Sequence, residues 1–164
     1  MRRVLVGAVL VGLAGCEPRT GLEGVELESA AVTDFGAFYF GVVLGVEVAE
    51  ATLVAETTEG DTLEVPITMS GPRLGVVVEL AYGMGVGEFP LLHDVADDGE
   101  GVFLGEDCFG SYQGFEASAG VIGGLHYTML SNEAGTVMPI LSVPIGAAGG
   151  FNWVSVVVEP KLDE

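Results

Sequence analysis

Phe38, Phe40, Val42, Leu44 and Val46 recur at every second residue. That spacing excludes an amphipathic helix, whose apolar positions return after three or four residues. A period of two instead puts all five side chains on one side of a strand. The Val, Phe and Tyr content of the surrounding "FGAFYFGVVLGVEVAEATLVAE" suits a pleated surface. The same texture returns in "LEVPITM", "LGVVVELAYG", "FEASAGVIGGLHYTML", "TVMPILSVPIG" and "FNWVSVVVE". Between these runs, "TEGDT" (58–62), "SGPR" (70–73) and "SNEAG" (131–135) read as turns, the first through its Gly60-Asp61 pair. Pro139 and Pro144 cannot donate to a ladder and belong at an edge, a bulge or a strand end. Gly41, Gly45, Gly75, Gly120, Gly123 and Gly124 lie inside strand-like runs and mark bends or close backbone approach. Only residues 87–101, with Leu91, Leu92 and Val95, read as helix or loop. The expectation is all-β: a small single-domain antiparallel β-barrel, or a sandwich, with at most one or two short helices. An eight-strand membrane-spanning barrel is the weaker alternative. It calls for aromatic girdles at both ends, whereas 8% of the residues are aromatic and the chain ends in polar "EPKLDE".

The first sixteen residues obey a different logic. Arg2 and Arg3 precede an apolar stretch from Val4 to Leu13, and Leu13-Ala14-Gly15 leads into Cys16. The stretch is too short for a bilayer core, which needs about 20 residues, and the layout is that of a secretory signal. Its ending resembles the bacterial lipobox: an aliphatic residue, two small ones and a cysteine. The expectation is a lipoprotein signal peptide over 1–15 and diacylglyceryl attachment to the Cys16 thiol. The chain would then be held by N-terminal acyl chains, since two chains anchor stably where one does not. Glu17 after the cysteine, by resemblance to enterobacterial sorting, points to the outer membrane. Residues 16–33 read as a lipidated tether, 34–160 as the barrel domain and 161–164 as a polar tail.

From Cys16 onward the only strong cations are Arg19, Arg73 and Lys161, against 24 Asp and Glu, a net of −21. Phosphate binding needs clustered Lys and Arg, so nucleic acid is a poor partner, and an anionic lipid surface would repel the chain. The expected partners are the membrane, through the N-terminal lipid, and another envelope protein or lipid. With Cys16 alkylated, Cys108 has no intramolecular partner. Its neighbours Glu106 and Asp107 disfavour the thiolate, so a buried, inert cysteine is expected.

Asp94, Asp97, Asp98, Glu100, Glu106 and Asp107 gather in one acidic region, a setting in which oxygen ligands can hold calcium. The EF-hand spacing fails, and a solvated loop is the expectation. His93 and His126 are the only histidines, and neither has zinc-type spacing to a second ligand. No G-x-S-x-G or S-x-x-K occurs, so there is no sign of nucleophilic catalysis. "GAAGGFNW" (146–153) lacks the helix that a phosphate-cradling loop requires. Trp153, the only tryptophan, is expected in the core or at the barrel mouth. No catalytic residue, cofactor or metal is expected, and the chain is not expected to be an enzyme.

Gly36-Ala37-Phe38, Gly71-Pro72-Arg73-Leu74-Gly75, Gly110-Ser111-Tyr112 and Val137-Met138-Pro139-Ile140, followed by Pro144, Ile145, Gly146 and Asn152, resemble the successive blocks of the EipA-type envelope-integrity proteins. The resemblance covers residues 34–158; SYLF lipid-binding domains share some of the same glycine-rich texture. It implies a secreted small β-barrel, without catalysis, that supports the cell envelope. The lipobox, the acidity and Met69-Ser70 in place of an aromatic depart from that family. The function expected is that of a lipid-anchored, non-catalytic envelope protein with a structural or interaction role. The alternative is carriage of a lipid or other apolar ligand inside the barrel.

Overall fold

The structure is a computed structural model that describes residues 21–93, 102–120 and 123–161, with side chains except at 42, 76–80 and 147–148. The signal segment, Cys16, Asp94, Val95, Asp97, Asp98, Glu100 and residues 162–164 lie outside the described residues.

Alternation carried over long runs produces long strands. β1 spans Leu27–Thr57, β2 Thr62–Gly85, β5 Gly110–Gly120, β6 Gly124–Asn132 and β7 Thr136–Pro160. β3 (Phe89–Pro90) and β4 (Leu92–His93) are two-residue strands, and Gly105–Cys108 forms a single 3₁₀ turn. All pairings among these strands are antiparallel.

The pairings show how the long strands fold. The first part of β7 pairs with β6 (Val137↔Ser131 to Ser142↔His126) and the last part with β5 (Ala148↔Gly120 to Val158↔Gly110). β5 and β6 are themselves a hairpin. The two parts of β7 therefore flank that hairpin on opposite sides and run in opposite directions. β2 follows β7 along both parts, and β1 follows β2, with a register shift between Val42 and Leu44. The two arms of β1 meet across the remaining gap. Ser29 Oγ donates to Glu56 Oε2 (3.0 Å) and Thr33 Oγ1 to the Thr52 carbonyl (3.4 Å), in one antiparallel register. Each long strand thus supplies two arms, and with β5 and β6 they close an eight-strand barrel.

The reversals of β1, β2 and β7 and the β5–β6 turn all lie at one end of the barrel, called here the tip. At the β1 reversal Val43 takes φ 69°, a costly backbone for a β-branched residue. A Cβ on Gly41 would land on the Cα of Gly45, so glycine at both positions lets the arms approach. The opposite end carries the Thr57–Thr62 turn, where Asp61 N donates to Thr57 Oγ1 (3.0 Å), and the Asn132–Thr136 turn, where Thr136 N donates to Asn132 Oδ1 (2.9 Å). These are the turns expected from Gly60-Asp61 and "SNEAG".

Three expectations need correction. "SGPR" is not a turn: residues 70–73 continue β2, with Gly71 and Pro72 paired to Glu47 and Val46. "FEASAGVIGGLHYTML" is not one strand but the β5–β6 hairpin. The tether expected to reach residue 33 ends earlier. Leu22 is fully buried and β1 begins at Leu27, because Leu22 and Leu27 supply apolar surface that closes the open end. Pro139 falls between the β4 pairing at Val137 and the β2 pairing at Ser142. Pro144 lies just beyond the last β6 pairing at Ser142, so at both prolines the ladder is open on one side.

The connection from β2 to β5 crosses the end opposite the tip. β3 pairs with β1 at Ala31 and Val32, and β4 pairs with β7 at Thr136 and Val137. Leu27 N donates to the Phe103 carbonyl (2.8 Å) and Gly105 N to the Val25 carbonyl (2.9 Å). Phe35, Phe89, Leu91, Phe103 and Cys108 are buried beneath this connection. The core continues upward inside the barrel through Leu53, Val65, Ile67, Met69, Leu130, Met138, Ile140, Val154, Val156 and Val158.

Candidate functional site

Above that apolar core, near the tip, the inward positions change character. Tyr39 and Glu47 come from the two arms of β1, Arg73 from β2, Glu116 from β5, His126 from β6, and Ser142 and Asn152 from the two arms of β7. All are buried, with Arg73 4%, Glu116 1% and His126 0% exposed. Each occupies the inward stripe of its strand, so the barrel's closure alone brings them together.

Glu116 is the hub. Its Oε1 accepts hydrogen bonds from Arg73 and from Asn152 Nδ2 (2.8 Å), and its Oε2 from His126 Nε2 (2.9 Å). Arg73 also faces Glu47, Nε to Oε2 at 4.0 Å. The Arg73 guanidinium lies 4.7 Å from the centre of the Tyr39 ring, and the Tyr39 and His126 rings stand 4.5 Å apart. Burial by itself raises the Glu116 pKa. The hydrogen bond from His126 and the Arg73 charge outweigh it and hold the carboxyl below its ordinary value. Burial, with Glu47 adding to it, pushes the Tyr39 hydroxyl up, so it stays neutral.

The layer contains an acid, a base and a cation, but its groups are directed at one another. Gly83 shows how closely they are packed: a Cβ there would come within 2.8 Å of Tyr39 and 3.1 Å of Ser142 Oγ. An eight-strand barrel has an interior just wide enough for side chains to fill, and here they fill it. The arrangement suits an internal ionic lock between arms. His126 has no zinc-type neighbour in the sequence; its partner is a carboxylate ten residues away. The legible signal for this layer is a lone charged residue on a strand's inward stripe, as with Arg73 two residues after Gly71 and four after Met69.

Around the tip the outer surface reverses the usual polarity. The stripe Phe38, Phe40, Leu44, Val46 and Val48 points outward, with Phe40 62% and Leu44 68% exposed. Around the ring it is continued by Leu74, Tyr82 and Met84 on β2, Leu125 and Tyr127 on β6, and Leu141 and Ile145 on β7. Trp153 corrects the expectation of a core or mouth position: it lies on the outer wall, 53% exposed, beside the stacked rings of Phe115 and Phe151 (5.7 Å). In this zone the charged residues with described side chains, Glu47, Arg73 and Glu116, all point inward.

The far end is the acidic one. Glu56, Glu59, Asp61, Glu64, Glu133 and Glu159 are exposed there, and clefts open beside Glu26 and Asp61 and beside Glu106 and Glu133. Of the acidic loop, Glu106 Oε2 accepts from Gly24 N (2.7 Å) and Asp107 Oδ2 from Leu104 N (2.9 Å). Both carboxylates therefore cap backbone groups. Among the described residues no group of three or more His, Cys, Asp or Glu is arranged to hold a metal ion. Cys108 is fully buried; burial, with Asp107 adding to it, pushes its thiol up to about 12. Comparison of the chain with protein-family models, with curated proteins and with solved structures found no match.

Proposed function

We propose that the chain is a lipid-anchored protein of the bacterial cell envelope, held through a diacylglyceryl group on Cys16 at the outer membrane. It acts as a non-catalytic structural or interaction element through the outside of its barrel. The observation that carries this reading is the reversed polarity of the barrel's tip, an ion-paired layer around Glu116 within and an apolar wall without. Arg73, Glu116, His126 and Asn152 bind one another inside the barrel, buried from solvent. An apolar ligand would have to displace the packed layer from Ile67 to Val158. The lipobox at Leu13–Cys16 and the resemblance to EipA-type envelope proteins point the same way.

Metabolic labelling with a palmitate analogue tests the anchor: Cys16→Ala should abolish incorporation, and unchanged labelling would refute it. Titration with a fluorescent fatty acid tests the interior. No saturable binding is expected, and one-to-one saturation would favour carriage instead.

A further inference from the structure

We infer that the tip of the barrel is buried in the hydrocarbon of a lipid bilayer, to about the depth of one leaflet, while the acidic end stays in water. The inference deepens the outer-surface half of the proposed function and rests on it, but not on lipidation of Cys16.

Large exposed apolar patches on a protein mark an interaction site. This one is not a patch but a girdle, since both arms of β1, β2, β5, β6 and both arms of β7 contribute apolar outward residues. A second copy of the chain covers one side of a barrel and leaves the other wet. Only a medium that surrounds the tip satisfies every arm at once, and acyl chains are such a medium.

The turns agree. Of the four tip reversals, "GVVLG" (41–45), "GVIGG" (120–124) and "GAAGG" (146–150) contain no charged or hydroxyl side chain, while that of β2 runs Gly75-Val76-Val77-Val78 into Glu79. Turns that emerge into water on the far side of a membrane are instead built from polar residues. Backbone in lipid must be paired internally, and a closed barrel does this.

The depth follows from where charge begins. Asp34 and Glu50 are exposed on the two arms of β1, and no charged residue points outward between them and Val43. At about 3.3 Å per residue and a tilt of about 40°, the rise from Glu50 to Val43 is about 18 Å. Half of a hydrocarbon core is about 15 Å. Nearer the charged rim the outward side chains turn polar, at Ser111, Gln113 and Ser131.

The position of the anchor is compatible. The chain enters the barrel at Leu22, packed against Gly105 at the acidic end. The six residues back to Cys16 reach at most about 20 Å. The acidic end stands about 18 Å above the Glu50 rim by the same rise, so a lipid on Cys16 and the tip can enter the same leaflet.

Trp153, the single tryptophan, reports on this directly. The full lipidated protein is reconstituted into phosphatidylcholine vesicles with acyl chains brominated at defined depths. Blue-shifted Trp153 emission, quenched by the bromines and protected from iodide, is expected. The outward substitutions Phe40→Glu and Leu44→Glu together should abolish the bromine quenching. Red emission quenched by iodide and untouched by bromine, with the protein still in the vesicle pellet, would overturn the inference and leave the anchor standing. Blue emission insensitive to bromine, with chemically cross-linked dimers, would overturn it in favour of a second copy. Depth is tested with Val43→Cys, since Cys108 is buried. An impermeant maleimide should fail to label it from either side until detergent is added. Labelling from the side opposite the acidic end would overturn the one-leaflet depth in favour of a spanning barrel.

Discussion

The two ends of the barrel solve opposite problems. At the acidic end the inside is apolar and the outside charged, as in an ordinary water-soluble protein. There Phe89, Leu91, Phe103 and Cys108 are covered by the β2–β5 connection, and Glu56, Glu59 and Glu64 face water. At the tip the inside holds Arg73, Glu116 and His126, and the outside holds Phe40, Leu44 and Trp153. The same alternating strands run through both ends. The difference teaches that a period of two defines two faces without deciding which of them is the interior, and that one barrel can change its preference along its length.

The largest effect that would break this comparison is loss of the ionic layer. Arg73→Ala leaves Glu116 and Glu47 in a buried layer without their cation. Removing one partner of a buried pair costs about 3–5 kcal/mol, read as a shift in the denaturant midpoint. The triple variant Arg73→Met, Glu116→Leu and Glu47→Leu should recover much of that loss, because apolar replacement of a buried ion pair or triad is often neutral. If the triple variant is as unstable as Arg73→Ala, the layer contributes stability beyond charge compensation.

At the acidic end the matching test is a cavity in the apolar core. Ile67→Ala should cost about 2–5 kcal/mol and leave the ionic layer intact, which the pH dependence then reports. Glu116 has its carboxyl depressed in the folded state, so the unfolded chain binds more protons as acid is added. Its contribution is full above the ordinary carboxylate value and is lost as pH falls through the lower folded value. Denaturation curves between neutral and acidic pH should show a stability loss that Glu116→Gln lacks and Ile67→Ala retains.

Smaller still is the thiol. With its pKa at about 12, Cys108 should react with maleimide only after unfolding, at a rate that follows opening of the acidic end. The smallest effect belongs to Lys161. Its ammonium lies 2.9 Å from Glu50, with both side chains about half exposed or more, so Lys161→Ala should change stability by less than about 0.5 kcal/mol.

Much of the acidic end was legible in the sequence because its signals are local. Gly60-Asp61 and "SNEAG" use side chains and positive φ, at Gly60 and Gly135, to turn the chain within a few residues. At the tip Gly41, Gly45, Gly75, Gly120, Gly123 and Gly124 were legible as bends, but not as full reversals of the strands. At Val43 the chain reverses with a β-branched residue at positive φ, held by the pairing on either side and by no turn chemistry of its own. "SGPR" shows the opposite error, in which turn-like residues are overridden by two neighbouring strands. The ionic layer was invisible because Glu47, Arg73, Glu116 and His126 are far apart in the chain and meet only when the ring closes.

Alternation, strand-forming residues and two local turns were enough to specify an antiparallel all-β domain, and the cysteine after a small-residue motif marks the expected anchor. Which stripe of β1 turned inward was decided only by the tertiary structure. Near the tip, Phe38, Phe40, Leu44 and Val46 lie outside, while Ala37, Tyr39, Glu47 and Ala49 lie inside. An eight-strand ring leaves room for small side chains and for polar ones that pair with each other across it. The bulkier apolar stripe is left exposed on the outer wall.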